Sequence, residues 1–355
     1  MLGIDRHAAR SVWTAALIVL LLVLLYVVRT TLFVFILALL FAYLLSPLVN
    51  FLDRLLPSSR TRTLALALAY VIFVGLVILL GAQIGARVVE EANTLAKRFP
   101  DMLASWQKPS PSAPAPINSL KEQIVSRARA EIGSRTNDIV SALTRAGLKL
   151  LTVASDLIYV VIIPILGFFF LKDAHVIRQH ILDLVDDGPR RVLLDDLLAD
   201  IHLLLAHYMR ALVFLSLAAF TAYSIFFAIT GMPYALLLAA VAGILEFIPM
   251  IGPLTAGAII LIIAAVSGAP VLVVLIFLLA YRVVQDYVIS PHLMGKGVEL
   301  HPLLVLFGVF AGAELAGIAG TFLSVPTLAL ARVLYVRFRR ARLSSRLAPT
   351  SPVRL

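Results

Sequence analysis

The sequence predicts an all-α, polytopic membrane protein, and three observations carry that prediction. Hydrophobic residues make up 61% of the 355 residues and charged ones only 14%, whereas soluble domains run near half apolar and a quarter charged. The apolar residues fall into runs of about 20, the length a helix needs to cross a hydrocarbon core of roughly 30 Å. The basic residues behind the net charge of +10 gather at the flanks of those runs, as in the tail carrying Arg337, Arg339, Arg340 and Arg342. In a soluble chain such a charge would suggest nucleic acid; here its placement points to the lipid bilayer as partner and to no nucleic acid.

About eight hydrophobic segments follow in order, near residues 13–28, 32–52, 64–84, 150–171, 211–229, 234–266, 271–289 and 303–336. Arg6 and Arg10 precede the first, but no small-x-small cleavage site follows, so it reads as a retained helix rather than a signal peptide. Only Arg29, Thr30 and Thr31 separate it from the second, which leaves two helices or one kinked helix. An even number of segments puts both termini on one side. The basic N-terminus, the short loop with Arg54, Arg60 and Arg62, and the basic tail make that side the cytoplasm. Residues 87–149 are polar, carry a proline-rich linker at 108–116 between helical stretches, and fall outside by alternation. Within 150–210, a membrane helix leads to Leu193, Leu194, Leu197, Leu198, Ile201, Leu204 and Leu205 at helical spacing, interleaved with Asp195, Asp196 and Asp200. That pattern is an amphipathic helix, a packed connector or one lying on the cytoplasmic membrane face or a neighbouring subunit. The chain thus divides into N-terminal membrane helices at 1–86, an extracytoplasmic segment at 87–149, a helix and amphipathic stretch at 150–210, a transport core at 211–336 and a basic tail at 337–355.

The chemistry concentrates where two runs are too long and too interrupted to be simple spans. As one helix, each would be near 50 Å long, well beyond the bilayer core. Run 234–266 holds Pro249, Gly252 and Pro253, and run 303–336 holds Gly317, Gly320 and Pro326. Breaking each into half-helices removes the excess length and releases backbone polar groups at membrane depth, which transporters use to bind ions and solutes. Each run also carries an acid, Glu246 or Glu314. An ionisable group in hydrocarbon normally faces a partner or a cavity. A carboxylate beside freed carbonyls suits Na⁺ or H⁺ as coupling ion; the alternative is that each acid caps or packs at an interface. Arg282 and Asp286, spaced i, i+4 beside Gln285, read as a pair on one helix face, with direct solute contact as the second reading. Lys172 and Asp173 close the fourth run as an interfacial pair.

The chain has no cysteine, which excludes disulfides, thiolate catalysis and thiolate-bound zinc. His292 and His301 match no metal motif, and no Walker, dinucleotide, HExxH or GxSxG motif occurs. The expectation is therefore no catalytic residue, no metal and no cofactor beyond a coupling Na⁺ or H⁺, in a transporter of a small polar solute or cation. A non-transporting scaffold that binds partners through its polar segments is the alternative. Polar linkers and in-plane helices point to a homo-oligomer.

Four pieces carry a family resemblance: residues 164–173, PILGFFFLKD; Gly231-Met-Pro-Tyr234 leading to Glu246-Phe-Ile-Pro-Met-Ile-Gly-Pro253; Ser290-Pro-His-Leu-Met-Gly-Lys296 with His301-Pro302; and Gly317-Ile-Ala-Gly320 followed by Pro326. In this order the chain resembles the autoinducer-2 exporter family of bacterial inner-membrane permease-like proteins over most of its length. The resemblance implies about eight helical segments and export of autoinducer-2 or, in some branches, sodium/proton antiport. Glu246 stands where many members carry Asn, and Glu314 where an apolar residue is common; both departures favour ion coupling. If all eight runs cross, the loop at 290–302 lies outside; if the two long runs are re-entrant hairpins it lies inside. The length argument favours hairpins entering from opposite faces.

Overall fold

The computed structural model describes residues 6–56, 62–106, 157–294 and 300–347. The proline-rich linker, the rest of 107–156, and Lys296, Gly297 and Glu299 lie outside the described residues. All regular structure among the described residues is helical. Among the described residues, five helices are long and apolar enough to cross a membrane, or six if one bent pair counts as a span, so the count of about eight is not confirmed.

Helix α1 (Arg6–Val27) leads through Val28 into α2 (Arg29–Leu55). Helix α3 (Thr63–Leu80) passes through a π-turn, Gly81–Gly85, into α4 (Ala86–Trp106), so the third apolar run and the start of the polar segment form one rod. Helix α5 (Leu157–Lys172) bends by 67° at Asp173 into α6 (Ala174–Leu182). Helix α7 (Pro189–Thr230) joins the amphipathic stretch and the fifth apolar run without interruption. No glycine or proline lies between Pro189 and Gly231, so nothing stops the backbone ladder where the polar pattern ends. Pro189 starts this helix and Gly231, at φ 65°, ends it. At 42 residues it is about 63 Å long, twice the hydrocarbon thickness.

Two folded-back elements complete the chain. Helix α8 (Ala235–Leu245) and α9 (Ile251–Ser267) pack on each other around a five-residue turn, and both pack on α4. Helix α10 (Val271–Val284) continues through a second π-turn, Gln285–Ile289, into the short α11 (Ser290–Met294). Helix α12 (Pro302–Leu347) is broken at Ala316 (φ −147°, ψ 23°) and Gly317 (φ 59°, ψ −140°). Its two arms run back along each other. A Cβ on Gly308 would strike the Leu328 side chain, and one on Gly312 or Gly320 would strike the backbone of the other. The stretch Pro302–Arg339 has the length of a span, but the chain folds it into a hairpin.

Helix α7 serves as the ruler. Near its start, Arg337 of α12 reaches Asp200 at 2.6 Å and Asp196 at 3.0 Å. Leu300 packs on the cluster of Leu204, Leu205, Tyr208, Met209 and Leu40. Near its far end, the Tyr234 hydroxyl contacts Sδ of Met102 on α4 at 3.8 Å. The first hairpin therefore opens toward the end of the molecule that carries α4. The second opens toward the end that carries Asp196, Arg337 and Leu300. The two hairpins thus open toward opposite ends of α7. Helix α2 braces this core, packing on α3, α5 and α7, with Leu45, Val49, Leu66 and Leu171 buried between them.

Candidate functional site

Each helix of the first hairpin is preceded by a residue other than glycine at positive φ, Tyr234 (59°) before α8 and Met250 (63°) before α9. Such residues cost about 1–3 kcal/mol each and persist only where packing enforces them. Along α8, Gly243 lies so close to α7 that its carbonyl accepts a 2.7 Å bond from Ser216 Oγ. After Leu245 the chain turns: Ile248 N donates to Leu245 O at 2.9 Å, Ile251 N to Pro249 O at 2.7 Å and Gly252 N to Ile248 O at 2.9 Å. A Cβ on Gly252 would collide with the Leu245 carbonyl, so glycine is required where α9 starts back. Pro249 lies in the turn and Pro253 in the first turn of α9, where a missing N–H costs no ladder bond.

Glu246 sits at the start of this turn and is 8% exposed. Its Oε2 accepts a 2.7 Å bond from Nε2 of Gln285, itself 3% exposed. Gln285 opens the π-turn of the neighbouring rod, and a π-bulge inside a helix frequently marks a functional position. Among the described residues, three buried side-chain atoms lack a hydrogen-bond partner: Oε1 of Gln285 itself, the hydroxyl of Tyr281 one turn earlier on the same rod and, on α7, Oγ of Ser224. Native interiors leave few polar groups in this state, and an unmet need of this kind is what a bound ion, water or solute supplies. Tyr223 packs edge-on against Tyr281, ring centroids 5.0 Å apart, and walls the cluster on the α7 side.

Arg282 and Asp286 pair at 2.8 Å and are each about two-fifths exposed. They flank the buried couple rather than join it. Glu314 is exposed beside the second hairpin's tip, next to Leu315 and Ile318, and is not brought to Glu246. Gly317 makes the break and Gly320 the close approach to Gly312. The buried polar groups of this hairpin are instead Thr321 and Ser324, which donate to the Gly317 carbonyl at 3.0 Å and the Thr321 carbonyl at 2.7 Å. The hairpins meet where Phe247 packs on Phe322, 6.2 Å between centroids, while the Tyr208 hydroxyl donates to Phe322 O at 3.2 Å.

Sequence reasoning passed over Tyr281, Tyr223, Ser224, Thr321 and Ser324. The i, i+4 spacing of Tyr281 and Gln285 was the available signal for the first of these, since it places both on one helix face. Nothing in the linear order relates Tyr223 of α7 to Tyr281, 58 positions later, against which it packs.

A helical bundle with several helices of membrane-crossing length and two folded-back hairpins, one of them carrying a buried carboxylate, has the build of a polytopic membrane protein. Broken helices of this kind are a device that many membrane transporters use. The chain belongs to the AI-2E transporter family, whose pattern it matches over residues 15–340. It is 26% identical over 315 residues to "Putative transport protein YueF" of Bacillus subtilis, covering 86% of this chain and 84% of that protein. It is 28% identical over 297 residues to "Putative transport protein MT0215" of Mycobacterium tuberculosis, covering 82% and 79%. A further match, 31% identical over 181 residues, is to "Putative transport protein YrrI" of B. subtilis and spans 51% of each chain.

Proposed function

We propose that the protein is a secondary transporter of a bacterial inner membrane, driven by an ion gradient and working by alternating access around its opposed hairpins. Its cargo is a small polar solute such as autoinducer-2, or Na⁺ exchanged for H⁺. The observation that carries this reading is Glu246, a carboxylate buried at a helix break and bound to Gln285, beside oxygens with unmet hydrogen-bonding capacity. A charge held at such a site is tolerated when a partner or cation offsets its burial, so loading and release of Na⁺ or H⁺ there couples the gradient to movement. Arg282 and Asp286, exposed at the edge of the cluster, receive the solute or ion before it reaches Glu246. Both termini lie in the cytoplasm, with the loop at 290–302, and the α4 end faces outward. The apolar surfaces of α1 and of the second hairpin, where Trp13 is 68% and Phe307 69% exposed, face lipid or a second copy in a homo-oligomer.

The test is flux in proteoliposomes under imposed Na⁺ or H⁺ gradients, comparing wild type with Glu246→Gln. The variant keeps a hydrogen-bonding side chain of the same size but holds no charge, so flux loses its dependence on the gradient. Unchanged gradient dependence in a well-folded variant sinks the coupling role of Glu246.

A further inference from the structure

The α4 rod does something the transport site needs and the sequence does not announce. Glu91 reaches across 146 positions to accept a 2.8 Å bond from Leu237 N. That amide belongs to the first turn of α8, where the N–H groups have no partner within the helix and the N-terminal residue, Tyr234, provides no side-chain cap. A carboxylate suits this end of a helix, where backbone dipoles favour negative charge. On the same rod, Leu95 is buried in the hairpin core, with Phe99 and Met102 packed against it. Beside the Glu91 contact lies a cavity of about 390 Å³ lined by Arg87, Glu90, Glu91, Thr94 and Tyr234.

Between this clamp and the membrane-spanning α3 lies the π-turn Gly81–Gly85. Its two glycines are not there for packing: a Cβ on either would meet no atom within 4 Å. Glycine in a helix without a steric reason lowers the cost of bending, and an interrupted helical ladder is a recognised place for a kink.

We propose that α4 is a gate on the first hairpin, hinged at Gly81–Gly85 and latched by Glu91 on the N-terminus of α8. Glu91 is a positioning residue: latched, it holds α8 and thereby Glu246 in place and closes the α4 face; released, it lets the rod swing and opens that face. The inference rests on the reading of this hairpin as the transport site, but its test needs no solute. The chain has no cysteine, so a single one at Phe247, in the hairpin turn, reports access. Its reaction with a membrane-impermeant maleimide is timed from each face in proteoliposomes. Glu91→Ala raises the rate from the α4 face about tenfold, the scale expected for losing a hydrogen bond to a charged group, and leaves the other face unchanged. Glu91→Gln, which keeps an acceptor oxygen, restores most of the closure. Gly81→Ala with Gly85→Ala stiffens the hinge and slows labelling from the α4 face below wild type. A wild-type rate in Glu91→Ala, an equal rise from both faces, or no slowing in the double alanine variant overturns the gate. Wild-type protein that carries no solute or ion, yet opens on Glu91→Ala, overturns the transport reading and leaves the gate standing.

Discussion

The two hairpins use one local device and are held by opposite means. Each folds back at a residue with positive φ, Met250 in the first and Gly317 in the second, and each carries an acid close to the bend. The first is wedged among α4, α7 and α10, and its acid is buried on Gln285. The second is held mainly by its own glycine seam and by α7. Only 6% of the residues in its most apolar stretch are buried, against 33% for α2, and its acid is exposed. A helix break and a nearby carboxylate therefore do not make a buried polar site by themselves. The surrounding helices must desolvate the acid and give it a partner.

Sidedness is the largest effect and breaks the comparison outright if it fails. A single cysteine replacing His292 labels from the same face as one replacing Asp187, and from the face opposite to one replacing Asp101 on α4. If His292→Cys and Asp101→Cys label together, the hairpins do not enter from opposed ends. Next comes the glycine seam. Gly320→Val forces a side chain into the Gly312 backbone, which cannot move aside as a flexible side chain would, so destabilisation reaches about 3 kcal/mol, the top of the usual overpacking range. Gly75→Val, in α3 where nothing lies within 4 Å, is the control and keeps the thermal midpoint of the purified protein near wild type. The acids themselves sharpen the contrast. Glu246→Gln lowers gradient-driven flux by about tenfold or more, as expected for a lost charge-assisted interaction of about 1.5–3 kcal/mol, while Glu314→Gln leaves flux within about twofold. Equal losses in the two variants would erase the distinction drawn from burial. The smallest effect belongs to the anchor of the second hairpin. Asp200→Asn weakens its part-exposed ion pair with Arg337 and costs no more than about 1 kcal/mol, detectable as a lower melting temperature at low salt that vanishes at high salt.

Much of the fold was legible because it follows from local rules. Runs of apolar residues declare membrane helices, and a run too long for the bilayer, studded with proline and glycine, declares a break. The glycines at 252, 317 and 320 mark places where the backbone turns or closes on itself. The same rules made the amphipathic stretch and the fifth run look like separate elements. Their hydrophobic patterns differ, but the helix continues because its backbone bonds are indifferent to which face is wet. Glu246 and Gln285, 39 positions apart, could each be singled out as polar groups in apolar runs; their pairing could not, because no sequence period relates a hairpin turn to a π-bulge in another helix. Glu91 was hidden for the same reason, one carboxylate among several in a segment whose composition reads as solvated.

By itself, then, the sequence determined the solvent of this protein, the helical nature of its segments and the positions of its breaks, since burying apolar side chains and satisfying backbone hydrogen bonds in lipid leaves few alternatives. The tertiary structure decided which acid is buried, which polar atoms remain without a partner and which helix caps which hairpin. Those outcomes depend on the packing of segments distant in the chain, and a charge or an amide has no fixed cost until its neighbours in space are known.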